Sequence, residues 1–136
     1  MKVKLDKDAF MPERAHETDA GLDLKARYGQ IVCAKESAVF RTGVHIELPP
    51  NTCGLLVSKS GLYTKHGIIS TGLIDQGYTG EIVVTLSNLG GYDYAIGRGD
   101  KISQLVILPC TYEALEQVET LEETERGENG FGSTGK

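Results

Sequence analysis

The sequence predicts an all-β subunit, a sandwich or barrel, and three observations carry that expectation. Apolar and polar residues alternate with a period of two in several short runs. β-Branched residues crowd the longest apolar run. Seventeen glycines in 136 residues supply tight turns between runs. Taken in order, Val3 and Leu5 alternate with lysines. Val44, Ile46 and Leu48 alternate with His45 and Glu47, and Pro49-Pro50-Asn51 ends that run. Ile82, Val84 and Leu86 alternate with Glu81, Val83 and Thr85. Ile102 to Leu108 is a β-branched apolar run closed by Pro109. One short helix is expected, near Ser60 to Lys65.

Composition bounds the function. A chain of this length makes one domain with a real core. The formal net charge of -5 argues against general nucleic-acid binding, which needs a basic surface. A small anionic substrate remains open if cations gather locally around it. Cys33, Cys53 and Cys110 are odd in number and far apart, with no C-x-x-C or Cys/His grouping, which argues against zinc and for reduced thiols in a cytoplasmic protein. No apolar run suits a signal peptide or a membrane span.

Three regions are expected: a β-rich body over 1–112, an acidic linker over 113–125 and a glycine-rich tail over 126–136. Leu115, Val118 and Leu121 are the larger apolar residues of the linker. The tail reads Arg126-Gly127-Glu128-Asn129-Gly130-Phe131-Gly132-Ser133-Thr134-Gly135-Lys136. Glycines let backbone amides approach an anion, Ser133 and Thr134 add hydroxyl donors, Arg126 adds a planar cationic fork, and Phe131 adds a flat apolar face. That set suits a flexible tail closing over a phosphorylated ring compound. Gly130 to Lys136 also spells most of a phosphate-loop signature, but no helix follows to hold the phosphates.

Two further segments can carry chemistry. Asp75 sits in Gly72-Leu73-Ile74-Asp75-Gln76-Gly77-Tyr78-Thr79-Gly80-Glu81. Such an Asp either orders its turn or, partly desolvated by Leu73 and Ile74, acts as a general base on water. Ser58-Lys59-Ser60-Gly61-Leu62 offers a cation, hydroxyls and a glycine at a helix start, suiting a phosphate or simply capping the helix with serine. Ala20-Gly21-Leu22-Asp23-Leu24 and Gly99-Asp100-Lys101-Ile102-Ser103-Gln104-Leu105 are weaker signals, although Gln104 is polar within an apolar strand and needs a partner. His16, His45 and His66 are scattered, and no nucleophile–base pattern points to covalent catalysis.

In this order, the five segments resemble the five motifs of the homotrimeric deoxyuridine triphosphatases, from Ala20 to Gly135. The resemblance implies a jelly-roll subunit, a homotrimer with active sites shared between subunits, and hydrolysis of dUTP to dUMP and pyrophosphate with Mg2+ bound mainly through the triphosphate. That reaction would limit uracil incorporation into DNA and supply dUMP for dTMP synthesis. By similarity, Asp75 would deprotonate the attacking water. Tyr78 would pack on the deoxyribose and exclude a 2′-hydroxyl. Gly72, Leu73 and Ile74 would read uracil, with Ile69 at a position that often carries Asn. Lys59, Ser60 and Gly61 would bind phosphates, with Lys59 where Arg is usual. Asp23 and Gln104 would support the metal through water, and Gln104 the phosphates as well. Phe131 would stack over uracil, Gly132 would also contact the substrate, and Arg126, Ser133 and Thr134 would hold the terminal phosphates.

Two alternatives are kept. A dCTP deaminase shares the fold family, but it needs a general acid/base beside the base ring, and no residue supplies one. A nucleotide-responsive β-sandwich module acting through a protein partner would need a surface element, for which residues 113–125 are the available segment.

Overall fold

The computed structural model describes residues 1–127. Among the described residues, eleven strands and one helix run in the order β1 (Lys2–Leu5), β2 (Gly21–Lys25), β3 (Gln30–Val32), β4 (Ser37–Arg41), β5 (Val44–Glu47), β6 (Thr52–Ser58), α1 (Ser60–His66), β7 (Ile68–Ile69), β8 (Thr71–Ile74), β9 (Val83–Asn88), β10 (Tyr94–Ile96) and β11 (Lys101–Pro109). Every strand pairing is antiparallel. One sheet has the order β2-β11-β6-β8 and another β4-β9-β7, with the two-stranded pairs β1-β5 and β10-β3 beside them. The long β11 lies between β2 and β6, partners distant in sequence, as a jelly-roll-like sandwich requires.

The period-two pattern decides which residues enter the core. In β9, Val84, Leu86 and Asn88 are buried while Val83 and Thr85 are exposed. In β5, Val44 and Ile46 are buried, and Leu48 is buried just past the strand end. Val84, Leu86, Val44, Ile46 and Leu48 join Leu24, Phe40, Leu56, Ile68, Ile82, Ile102 and Leu105 in one core. Gly54 is required there: a Cβ would approach Leu105 Cδ1 to 2.9 Å.

The expected helix forms over Ser60–His66 and ends at Gly67, in the left-handed conformation at φ 68°. The expected serine cap does not form. Lys59 occupies the N-cap position with no side-chain capping bond. The Ser58 hydroxyl turns instead to the Ser70 backbone, donating to its carbonyl at 3.0 Å and accepting from its N–H at 2.9 Å. The Ser103 hydroxyl donates to the Val57 carbonyl, so the Ser70 hydroxyl donates to Ser103, at 2.9 Å. This buried serine network fixes β8 against β6 and β11.

Residues 111–127 are exposed and lie in no strand or helix. No helix among the described residues is long and apolar enough to cross a membrane.

Candidate active site

The site residues fall into two groups, at opposite ends of β6. The first surrounds the hairpin tip between β8 and β9. Antiparallel pairing of Gly54 with Ile74 and Leu56 with Gly72 carries the chain out along β6 and delivers Asp75 at the strand end. A turn follows, in which the Tyr78 N–H donates to the Asp75 carbonyl at 3.1 Å and Gly77 takes φ 88°. A positive φ at the third turn residue is glycine's role in a type II turn. Tyr78 folds back so that its hydroxyl donates to the Glu81 carbonyl at 3.0 Å. Gly80 makes this possible, because a Cβ there would collide with the Tyr78 ring and hydroxyl.

Beneath this tip lies a cleft of about 360 Å³, lined by Leu56, Thr71, Gly72, Leu73, Ile74, Asp75, Tyr78, Glu81, Ile82, Val83 and Thr85. Leu73, at 65% exposure, and Tyr78, at 49%, are large apolar or aromatic side chains left uncovered around it. Such clustering marks a surface built to receive a ligand or another chain. Asp75 is exposed in the single subunit, so Leu73 and Ile74 do not by themselves desolvate its carboxylate. Ile69 lies in β7, half-buried opposite Ser87, and is not among the lining residues. Of its polar neighbours, Ser70 is committed to the serine network, whereas Thr71 lines the cleft.

The second group is a charge cluster on the β2-β11 face. Asp23 pairs with Gln104 across the ladder, and Lys25 with Lys101. A β-bulge between Lys101 and Ser103 inserts one residue, so Lys101 and Gln104, three apart, reach the same face as Asp23. Asp23 is 2% exposed. Its Oδ1 accepts from Lys59 Nζ at 2.6 Å and from Gln104 Nε2 at 3.3 Å, and its Oδ2 pairs with Lys101 Nζ at 2.7 Å. Burial pushes the Asp23 carboxyl up, but the hydrogen bonds and charges of Lys101 and Lys59 outweigh it and hold the group below its ordinary range. The Asp23 hydrogen bond in turn holds the Lys101 ammonium above its usual value. Gln104 therefore has the partner its position demanded.

Sequence reasoning missed Lys101. The available signal was a cation directly after the Gly99-Asp100 turn, but the bulge that aims it at Asp23 has no sequence signature. Beside the cluster, Ser60 and Gly61 are exposed at the start of α1, and nothing lies within 4 Å of where a Gly61 Cβ would be. First-turn helix amides have no intrahelical acceptor, so this open end can meet an anion.

The donor set also bears on a divalent cation. Among the described residues no group of three or more His, Cys, Asp or Glu could hold a metal. Both Asp23 oxygens already face cations. With two ammoniums on one carboxylate, the cluster does not fit a dedicated Mg2+ cage; this hard ion would have to be held by phosphate oxygens and its own waters.

The two groups do not meet within one chain. Asp75 emerges beside Cys53, while Lys59 follows the other end of β6, six residues on, or about 20 Å along an extended strand. Arg126 is exposed near the end of the described residues. Phe131, Gly132, Ser133 and Thr134 lie outside them.

A family model described as dUTPase matches residues 7–135. The deoxyuridine 5'-triphosphate nucleotidohydrolase of Clostridium kluyveri is 46% identical over 135 residues, covering 97% of this chain and 94% of the relative. That of Mus musculus is 39% identical, covering 98% and 83%. Among solved structures, the dUTPase of Staphylococcus bacteriophage 80alpha with dUPNHPP superposes with a TM-score of 0.93 at 36% identity, over 98% of this chain and 97% of that one. A mutant dUTPase from phage phi11 of S. aureus, solved with a structural Mg(II) ion, gives a TM-score of 0.82 at 33% identity, over 90% and 98%. With a family match over nearly its whole length and relatives of that identity, the chain belongs to the dUTPase family.

Proposed function

We propose that this protein is a dUTP diphosphatase that works as a homotrimer, with each active site assembled from more than one subunit. The observation that carries the reading is the separation of the Asp75–Tyr78 cleft from the Lys59–Asp23–Lys101 cluster. A base acting at the attacking water and cations binding the same substrate's phosphates must lie within a few ångström of the reacting atoms. Two half-sites about 20 Å apart on one strand need a second chain to complete each other.

In the assembled site, uracil enters the cleft at Gly72–Ile74, with Thr71 at its wall. Asp75 takes a proton from water as the water oxygen bonds to the α-phosphorus and the bond to the bridging oxygen of pyrophosphate breaks. Tyr78, held back by Gly80 and Glu81, packs on the deoxyribose and leaves no space for a 2′-hydroxyl. Lys59, Ser60, Gly61 and Gln104 of a neighbouring subunit bind the phosphates. Mg2+ would supply charge neutralisation of the triphosphate when bound, held mainly by phosphate oxygens and its own waters, with Gln104 and Asp23 the residues that would support those waters once the nucleotide draws Lys59 away from Asp23. The tail from Arg126 through Thr134 closes over the nucleotide, with Phe131 over uracil. Phosphoryl chemistry of this kind is positioning and charge stabilisation and needs no covalent nucleophile. The cellular role is cytoplasmic removal of dUTP, which limits uracil in DNA and supplies dUMP for dTMP synthesis.

The test is incubation with Mg2+ and, separately, dUTP, UTP, dTTP and dCTP, measuring pyrophosphate and ammonia. Pyrophosphate from dUTP alone is expected. Ammonia from dCTP would overturn the assignment in favour of the deaminase.

A further inference from the structure

His45 takes no part in the site as described, and its place on the outer face of β5 reads from sequence as a solvated polar position. Its side chain is only 18% exposed. Strand pairing sets it opposite Lys4. Its Nδ1 lies 3.0 Å from the Thr79 carbonyl oxygen. A carbonyl only accepts, so Nδ1 carries the proton. The other ring nitrogen, Nε2, faces Asp6 Oδ1 at 3.3 Å but is out of line for a hydrogen bond. Asp6 is itself held, by Arg27 Nη1 at 3.3 Å and by its own N–H donating to the Gly43 carbonyl at 2.9 Å. The ring is packed beside Asp6, with its Nδ1 donor aimed at the hairpin.

The hairpin tip makes that donor consequential. Residues 75–82 lie between β8 and β9 and join neither strand. The tip's side chains are tied at its two limbs, where the Asn51 N–H donates to Gln76 Oε1 at 2.7 Å and the Gly43 N–H to Glu81 Oε1 at 2.8 Å. Its backbone meets the body of the subunit at Ile82, whose N–H donates to the Val44 carbonyl at 2.8 Å and whose carbonyl accepts from the Thr42 hydroxyl at 2.6 Å, and at Thr79, the contact one residue from Tyr78. Tyr78 is in turn bonded to Asp75 through the turn. A shift at Thr79 is passed to the ring that measures the sugar and to the base.

We infer that His45 is a positioning residue for the catalytic hairpin: through the hydrogen bond from Nδ1 to the Thr79 carbonyl it sets where Tyr78 sits, and so contributes to discrimination between deoxyribose and ribose. The inference rests on the reading of the cleft as the dUTP site. Its test compares His45→Ala with His45→Asn in the full chain, because the Asn amide nitrogen falls near Nδ1 and can donate the same bond. The expected result for His45→Ala is a roughly ten- to hundredfold loss in kcat/KM for dUTP, with a narrowed dUTP/UTP ratio. His45→Asn restores most of both. An unchanged ratio in folded His45→Ala, or equal loss in both variants, overturns the inference. Hydrogen exchange at the amides of residues 76–82 reads the anchoring without turnover: faster exchange in His45→Ala and not in His45→Asn supports it, and equal exchange in all three proteins overturns it. Turnover of dUTP by the unmodified protein separately tests the underlying assignment.

Discussion

In the proposed mechanism, single residues carry the chemistry in two different ways. Asp75 is an exposed carboxylate whose value lies in where β6 pairing delivers it. Replacing it with Asn keeps the shape and removes the base, so a kcat lower by roughly a thousandfold is expected, with nucleotide affinity retained. Calorimetric titration with a non-hydrolysable dUTP analogue, beside turnover, checks both halves. Asp23 works by charge balance. Its folded carboxyl lies below the ordinary value of 3.8, so its contribution to stability is present above that pH and is lost as pH falls through the folded value. Lys101 is held above its ordinary 10.5, so its part of the pairing persists below that pH and is lost only as pH rises through the raised value. Asp23→Asn should therefore lower stability near neutral pH, by about 2 kcal/mol for charge-assisted bonds lost. It should also flatten the acid limb below about pH 3.8, where the unmodified protein is losing the same interaction. Denaturant titrations at several pH values and one fixed protein concentration measure this, and parallel acid limbs would refute it.

At the scale of elements, Gly80 sets where the hairpin tip holds Tyr78. Tyr78 lies where any Cβ on Gly80 would be. Gly80→Ala should push the ring out of place while leaving β8 and β9 paired, because the tip lies outside both strands. The expected result is a melting temperature within a few degrees of the parent, with clearly reduced preference for dUTP over UTP; an unchanged preference would show that Tyr78 does not measure the sugar. What was legible at this scale follows from periodicity. The alternating runs at Val3, Val44, Ile82 and Ile102 are strands, and the helix near Ser60 is real, because burial on one face imposes a pattern on sequence. Short strands such as β3, β7 and β10 span two or three residues and have no room to show one. Asp75, Tyr78, Lys59, Asp23 and Gln104, the residues proposed for the site, could be singled out through ordered motifs. Lys101 and His45 were not, since a bulge places the first and a contact across 34 residues of chain engages the second.

The whole molecule poses the question that one chain leaves open. With Asp75 at one end of β6 and Lys59 at the other, shared sites make a strong prediction about mixed subunits. Asp75→Asn chains lack the base but keep the phosphate cluster; Lys59→Ala chains lack the cation but keep the base. Each pure protein should be nearly inactive. Refolded together, a site that draws its hairpin from a Lys59→Ala chain and its cluster from an Asp75→Asn chain is intact in both parts. In randomly mixed trimers with head-to-tail contacts about one site in four has that composition, so close to a quarter of parental activity should return. Sites contained within one chain would give no recovery on mixing. Mixing without unfolding should restore activity only as fast as subunits exchange, so the time course also reports how tightly the assembly is held. A recovery well below a quarter, with randomly mixed trimers confirmed by native mass spectrometry, would place both groups of each site on one chain and remove the main support for the shared-site mechanism.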